Sequence, residues 1–300
     1  MESLPVDFFV KSMQFTKNVS RDQYPSIDPK DPDLSMAGKV VIITGASKGI
    51  GARGFVPAFA KAGAKALILV ARDIQRLKEV ATKVKEINPS VETLTFSLDI
   101  SDNKAVKGLY EKIKTDYGHA DILINNAGLM KAQGNIKDLD PEVWIEDLSL
   151  NTQGTFLFTT YFLKSLPSDD TKATIINMTS GMAYGIFPGA SAYSIGKLNN
   201  LQLAALVAAE NPNVTAIALH PGVVMTDMLA PEFKRFAFDT PELVGGTAVW
   251  LATEKAKFLS GRFVGCNWNV DDLYERREEI QSGKLLQIDL TGTFGADQFN

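Results

Sequence analysis

A tyrosine and a lysine four residues apart, Tyr193 and Lys197, are the pair of side chains best suited to proton transfer. The pattern around them predicts a helix over Ala192–Glu210, on which this spacing places both side chains on one face. The ordinary pKa of a tyrosine is about 10, and a neighbouring cation lowers it by favouring the phenolate. Tyr193 is therefore a candidate general acid or base. The alternative interpretation is an amphipathic surface pair.

A glycine-rich turn is the second candidate site, Thr44–Gly51, with the sequence TGASKGIG. It follows a strand-like run and precedes a helical pattern, which is the context in which such turns bind dinucleotides. Gly45 permits the tight turn, Gly49 lets a pyrophosphate approach the backbone, and Gly51 permits close packing of the helix. Free N–H groups at the start of that helix face the phosphates. The alternative is a purely structural turn.

The elements that must position these residues alternate between strand-like and helical patterns. Short apolar runs predict buried parallel strands at Val40–Ile43, Ala66–Val70, Ile122–Ile124, Thr174–Met178 and Val214–Leu219, with weaker candidates at Thr93–Leu98 and Arg262–Trp268. Helical patterns lie between them, at Ile50–Ala62, Ile74–Ile87, Lys104–Tyr117, Pro141–Leu166, Ala192–Glu210 and Pro241–Thr253. This alternation predicts an α/β fold, a single doubly wound domain with a seven-stranded parallel sheet and helices on both faces.

Two end segments differ from this regular part, which spans residues 38–270. Residues 1–37 read as an irregular extension with one short helix at Phe8–Phe15, and residues 271–300 as a charged, then polar, tail. Within the regular part, Pro57 falls inside the helix after the glycine turn. We expect it to kink that helix or to remove a backbone hydrogen bond.

Composition excludes several classes of protein. One cysteine rules out an internal disulfide framework, and two histidines far apart argue against a zinc site, so we expect no metal. A net charge of −4 without a run of Lys or Arg does not suggest a nucleic-acid partner. The longest apolar run, Leu203–Ala209, is far too short to cross a membrane. We expect a soluble cytoplasmic protein.

The order and spacing of the motifs resemble the short-chain dehydrogenase/reductase family over about Lys39–Val270. The resemblance is carried by the glycine turn and then, in order, by Asn125–Gly128, Asn151, Ser180, Tyr193, Lys197 and the pair Pro221-Gly222. It implies a Rossmann-type domain that binds a nicotinamide cofactor. It also implies a homodimer or homotetramer formed through helices 144–166 and 192–210.

The resemblance implies a role for each of four catalytic residues. Tyr193 would exchange the proton of a carbonyl or alcohol, and Ser180 would hydrogen-bond the substrate oxygen. Lys197 would lower the pKa of Tyr193 and bind the nicotinamide ribose. Asn151 would hold a water that relays protons to Lys197. The cofactor contacts that the motifs predict are Gly45, Ser47, Lys48, Gly49, Ile50, Gly51, Arg72, Asp99, Ile100, Asn125, Ala127, Gly128, Tyr193, Lys197, Pro221, Gly222, Val224 and Thr226.

The end of the second predicted strand favours NADP(H) over NAD(H). An acidic residue about 20 positions after the glycines would bind the ribose diol of NAD, but Ala71 occupies that position and Arg72 follows it. Arg72 can pair with a 2′-phosphate, assisted by Lys48 and Ser47. Two alternatives stay open. The first treats the cations as solvated surface charges, and the second gives Asp73 one of two roles, a cap on the next helix or a ligand of the ribose.

The predicted substrate wall is largely apolar. Its candidate residues are Met130, Met182, Tyr184, Phe187, Met228 and Phe236, and few fixed charges lie near them. This composition favours a fairly apolar ketone, aldehyde or secondary alcohol as a small-molecule substrate. We expect the segment 227–240 to form a lid. The function predicted is NADP(H)-dependent carbonyl reduction or alcohol oxidation. The alternatives are the same fold serving a non-redox biosynthetic step, or a cofactor-binding regulatory protein.

Overall fold

One parallel sheet organises the part of the chain that the computed structural model describes, residues 4–295; residues 1–3 and 296–300 of the two end segments lie outside it. Its seven strands are β1 (Val40–Thr44), β2 (Ala66–Ala71), β3 (Glu92–Ser97), β4 (Ile122–Asn125), β5 (Ala173–Met178), β6 (Val214–His220) and β7 (Phe263–Gly265). Their order is β3-β2-β1-β4-β5-β6-β7, and every neighbouring pair is parallel. The predicted α/β fold is confirmed.

Helices cover the sheet in two groups. They are α1 (Phe8–Ser12), α2 (Val56–Lys61), α3 (Ile74–Ile87), α4 (Asn103–Tyr117), α5 (Pro141–Ser149), α6 (Thr155–Ser165), α7 (Ser191–Glu210), α8 (Pro241–Leu251), α9 (Val270–Glu275) and α10 (Arg277–Ser282). Helix α2 packs against α3 and α8, whereas α4 packs against α6 and α5 against α7. The central strands are buried along their whole length, because helices cover both faces of the sheet.

Two of the predicted helices contain wide π-helical turns. The predicted helix Ile50–Ala62 begins with such a turn at Gly51–Phe55, and α2 starts only after it. Pro57 stands in the first turn of α2, directly after this π-helical turn, and has no N–H to donate to the preceding helical residues. The predicted helix Pro141–Leu166 is likewise divided, with a π-helical turn at Leu150–Gly154 between α5 and α6. The expected disturbance at Pro57 is therefore found as a change of helix type.

Both end segments contribute to the core of the sheet domain. Ile27, Leu34 and Met36 from the N-terminal side are almost fully buried in the same hydrophobic cluster as the strands. On the C-terminal side, Leu273 of α9 and Ile280 of α10 join that cluster. Among residues 4–295, no helix combines the length and apolarity that a membrane span requires.

The carboxylate of Asp73 caps α3. Its Oδ1 accepts hydrogen bonds from the backbone N–H groups of Gln75 and Arg76, both at 3.1 Å. N–H groups in the first turn of a helix have no acceptor within the helix, so the Asp73 carboxylate supplies the missing acceptor. The capping role considered for Asp73 is therefore present in the fold.

Replacing this cap should cost stability. We expect Asp73→Ala to lower the free energy of unfolding by about 1 kcal/mol, measured by urea titration at neutral pH. Asp73→Asn, which can still accept from the same N–H groups, is the matched control and should lose much less. Equal losses in the two variants would contradict a capping role.

Candidate active site

A ladder of three buried asparagine side chains joins the strands to the helix that carries Tyr193. Asn125 at the end of β4 donates from Nδ2 to Asn177 Oδ1 on β5 at 2.9 Å. Asn177 donates to the carbonyl of Asn200 on α7 at 3.2 Å, and Asn200 donates back to the carbonyl of Met178 at 3.1 Å. Buried amides need such partners. The ladder therefore fixes α7 in position and register on the sheet.

Lys197 points from α7 into the protein interior. Its side chain is buried, and Nζ donates to the Met178 carbonyl at 3.0 Å. Nζ also lies 5.5 Å from the centre of the Tyr193 ring. Burial lowers the pKa of Lys197 to about 8, because the ammonium has lost its water. A single carbonyl holds the cation beside the phenol, with donor capacity left for a further partner.

Tyr193 and Ser180 face each other at the carboxyl end of β5. Burial raises the pKa of Tyr193 to about 12, although a hydrogen bond with the Ser180 side chain acts to lower it. The Ser180 hydroxyl also accepts from the Met182 N–H at 3.2 Å and so caps the short turn that follows. Tyr193 therefore keeps its proton at neutral pH in the structure described.

Asn151 lies in the π-helical turn between α5 and α6, and its side chain is engaged by the backbone. Its Nδ2 donates to the carbonyls of Leu129 at 2.7 Å and Asp147 at 2.8 Å, while Oδ1 accepts from the Leu129 N–H at 3.3 Å. A Cβ placed on Gly128 would lie 3.2 Å from Asn151 Oδ1 and 3.3 Å from Lys197 Nζ. The two predicted partners therefore approach the same point beside Gly128.

The glycine turn has the backbone geometry that its sequence predicts. Gly45 and Gly49 have φ of +65° and +57°, a region that favours glycine. A Cβ on Gly51 would stand 2.2 Å from the Gly45 carbonyl oxygen, so only glycine fits there. Asn126 Nδ2 donates to the carbonyls of Thr44 at 2.9 Å and Gly45 at 3.2 Å, which ties the turn to the end of β4.

A groove of about 630 Å³ runs from the glycine turn to Tyr193 along the carboxyl edge of the sheet. Its lining includes fourteen of the predicted cofactor contacts: Gly45, Ser47, Lys48, Gly49, Ile50, Arg72, Asp99, Ile100, Ala127, Gly128, Tyr193, Lys197, Pro221 and Thr226. The position at the carboxyl ends of parallel strands, where the strand order reverses between β1 and β4, is the usual binding crevice of such sheets. The groove therefore lies where sheets of this type bind dinucleotides.

The other four predicted contacts lie outside the groove lining. Gly51 packs under the turn, and Asn125 is buried in the asparagine ladder, so the neighbouring Asn126 is the asparagine that reaches the groove. Gly222 and Val224 line a second cavity instead. Successive side chains at the end of a strand point to opposite sides. Asn126 therefore faces the groove, and the predicted Asn125 faces the interior.

Cations gather at the end of the groove away from Tyr193. Lys48, Arg72 and Arg76 all line it, and Arg76 is a contact that the motifs do not reveal. Lys48 Nζ lies 3.5 Å from Asp227, a pair of exposed side chains. Burial acts to raise the pKa of Asp99, but hydrogen bonds from Ser101 and the charge of Arg72 outweigh it and hold that pKa below its usual value. Arg76 Nε lies 3.4 Å from Asp73, so carboxylates accompany the cations at this end of the groove.

A second cavity of about 560 Å³ opens on the other side of Tyr193 and is mostly apolar. Its lining contains five of the six predicted substrate residues, namely Met130, Met182, Tyr184, Phe187 and Met228. Phe236 is fully buried and lies behind this wall, edge-on to Phe9 with ring centres 4.9 Å apart. Phe8, Phe9, Ser12 and Met13 also line the cavity, and no motif indicates them because they come from the N-terminal extension.

Among residues 4–295, no side chain that lines the cavity carries a formal charge. His220 at the end of β6 is its one readily titratable group near neutral pH, and burial lowers the pKa of His220 to about 4. Its Nδ1 is buried without a hydrogen-bond partner, and its ring stacks on Phe263. His220 is therefore neutral at physiological pH. Tyr193 lines both this uncharged cavity and the cationic groove.

The comparisons with known proteins agree with this geometry. The family model described as short chain dehydrogenase matches residues 39–236. A short chain dehydrogenase of Monascus purpureus is 37% identical over 292 residues, which cover 94% of this chain and 99% of the relative. A short chain dehydrogenase of Monascus ruber is 35% identical, over 91% of this chain and 92% of the relative.

Solved structures share the fold. The L-sorbose reductase of Gluconobacter frateurii, in complex with NADPH and L-sorbose, is 25% identical with a TM-score of 0.69, over 78% of this chain and 96% of its own. An NAD+-bound xylitol dehydrogenase is 20% identical with a TM-score of 0.69, over 77% of this chain and 98% of its own. With a parallel sheet, a glycine turn and Tyr193 beside Lys197, the chain belongs to the short-chain dehydrogenase family of oxidoreductases.

Proposed function

We propose that the protein is an NADP(H)-dependent oxidoreductase that interconverts a fairly apolar ketone or aldehyde and its alcohol, with Tyr193 as general acid and base. The observation that carries this proposal is the position of Tyr193, which lines both the long polar groove and the apolar cavity. A group that moves a proton between a substrate and its surroundings must stand at such a junction.

The chain's own residues supply the proton and the positioning. When bound, the nicotinamide supplies or accepts the hydride. In reduction, Tyr193 donates its proton to the carbonyl oxygen, while the Ser180 hydroxyl hydrogen-bonds the same oxygen and stabilises its developing charge. Lys197 lies 5.5 Å from the ring centre and, when protonated, favours the phenolate that remains. In oxidation the phenolate takes the proton back.

The groove fits a nicotinamide dinucleotide, and its charges favour the phosphorylated form. The positive-φ glycines leave the backbone open to a pyrophosphate, and Lys197 keeps donor capacity for a ribose hydroxyl. At the far end, Arg72 and Arg76 suit a 2′-phosphate. Asp73, the alternative ribose ligand, accepts two backbone hydrogen bonds at the start of α3. We therefore assign NADP(H) as the preferred cofactor.

The predicted association between subunits is supported by apolar side chains on the outer faces of the long helices. Ile145 and Phe156 are more than half exposed, and Ile195 and Leu206 are each nearly so, at 46% and 47%. They lie on α5, α6 and α7, within the regions 144–166 and 192–210. Exposed apolar patches of this kind mark protein contacts. We propose a homodimer or homotetramer formed through these faces.

Removing the proton donor tests the reaction. We expect Tyr193→Phe to lower kcat for NADPH-dependent reduction by about 10²- to 10⁴-fold, measured by the loss of nicotinamide absorbance across a panel of apolar ketones and aldehydes. The affinity for NADPH, measured by fluorescence titration, should change much less. Binding of NADPH without turnover in the wild-type protein, or an unchanged rate in the variant, would contradict the proposal.

The pKa of Tyr193 gives the two directions different pH dependences. Because burial keeps the phenol protonated, with its pKa raised to about 12, reduction should be fast and nearly independent of pH between 6 and 9.5. Alcohol oxidation needs the phenolate and should rise with pH, by up to about tenfold per unit. Initial rates in both directions between pH 6 and 9.5 check this. Parallel profiles would argue against Tyr193 as the titrating group.

Cofactor choice is tested at Arg72. Without its guanidinium the 2′-phosphate loses a charge-assisted partner, so Arg72→Ala should weaken NADPH binding by about tenfold or more while NADH changes little. Lys78→Ala is the control, since Lys78 is an exposed cation on α3 outside the groove lining. Dissociation constants from fluorescence titration decide the question, and equal losses for both cofactors would refute the role of Arg72.

A further inference from the structure

The N-terminal segment, residues 4–24, lies before the region that matches the family, which begins at residue 39. It crosses the carboxyl end of the sheet and is held there by its backbone. Val19 forms an antiparallel bridge with Trp268, and the Ser20 N–H donates to the Asn267 carbonyl at 2.8 Å. The Met13 carbonyl accepts from the Trp268 indole at 2.7 Å. The segment is therefore an ordered part of this end of the domain.

An ion pair between Arg21 and a buried carboxylate fastens the segment to the predicted lid. Arg21 Nε donates to Asp239 Oδ1 at 2.7 Å, and the guanidinium also donates to the Phe236 carbonyl at 2.7 Å. The Asp239 side chain is fully buried. It also accepts from the Val223 N–H at 2.6 Å and from Asn267 at 2.9 Å. Losing any one of these three donors would leave the buried carboxylate less well compensated and would destabilise this contact.

Helix α1 of this segment forms one side of the apolar cavity. Phe9 packs against Phe233 of the predicted lid, with ring centres 5.6 Å apart, and against the buried Phe236. Met13 lies over Gly181, so close that a Cβ there would stand 3.1 Å from its Sδ. Since Gly181 directly follows Ser180, the segment borders the space next to the reacting hydroxyls.

The chemistry of this wall defines what the cavity can accept. Aromatic rings and methionine side chains line it, and such a lining suits the faces and edges of ring systems. His220 is neutral, and no lining side chain in the described part of the chain offers a charge to a carboxylate or a phosphate. A volume of about 560 Å³ is larger than a small ketone can fill.

We propose that residues 4–24 are a built-in wall of the substrate cavity, and that this wall makes the enzyme selective for bulky, uncharged, ring-bearing carbonyl compounds. The proposal rests on the function proposed above for its statement about substrates. Its statement about the cavity rests only on the contacts of Phe9, Met13 and Arg21.

A fluorescent ketone tests the wall directly. The uncharged naphthyl ketone 6-propionyl-2-dimethylaminonaphthalene shifts its emission to shorter wavelength in apolar surroundings, so its binding can be read without turnover. We expect Phe9→Ala to weaken this binding by about tenfold and Phe9→Leu, which keeps the apolar contact with Phe236 but not the ring, to fall between. Val6→Ala is the control, because Val6 is half exposed on the same segment and does not line the cavity.

Several outcomes separate this proposal from the proposed function. The wall is refuted if the wild-type protein leaves the emission of the ketone unchanged, or if both Phe9 variants bind it as the wild type does. Should the ketone bind as expected while neither it nor 2-butanone is reduced with NADPH, the proposed function fails and the wall stands. If both are reduced, the ratio of kcat/KM for the naphthyl ketone to that for 2-butanone should fall in Phe9→Ala; an unchanged ratio refutes the selectivity.

Discussion

The need to satisfy buried amides sets the geometry of the site. Asn125, Asn177 and Asn200 can leave no donor unpaired in the interior, so β4, β5 and α7 must meet in one register. That register brings Lys197 to the Met178 carbonyl and Tyr193 to Ser180. The reacting groups are ordinary side chains. Tyr193, Lys197 and Ser180 are close together because the buried asparagine ladder beneath them holds β5 and α7 in register.

Most of the fold could be predicted from local patterns, because parallel strands buried on both faces are nearly continuous apolar runs. The helix Ile74–Ile87 has the bounds predicted for it, and α7 begins one residue earlier than predicted. The glycine turn could also be predicted from the sequence. Positive φ at Gly45 and Gly49 and close packing at Gly51 favour glycine at all three positions. Most of the predicted cofactor contacts line the groove.

What could not be predicted depends on contacts distant in sequence. Arg21 and Asp239 are 218 residues apart, and nothing in either neighbourhood indicates the other. Whether Asn125 or Asn126 faces the groove depends on where β4 ends, and a sequence pattern locates a strand end only to within a few residues. Phe236 is an aromatic residue of the kind that lines apolar pockets. It is buried behind Phe9, which packs against it and lines the cavity in its place. The π-helical turn at Leu150–Gly154 continues the helical periodicity on both sides, so the sequence reads as one helix.

The position of Asp239 has a consequence for how the two halves of the site communicate. One carboxylate holds the Arg21 side chain and also the Val223 N–H, next to the Pro221-Gly222 pair whose proline lines the groove. A ligand that moved the segment around Arg21 and a ligand that moved the Pro221-Gly222 pair would therefore both act on this one carboxylate. Thermodynamic linkage requires such an effect to be mutual, so that occupancy of either space changes the affinity of the other by the same factor.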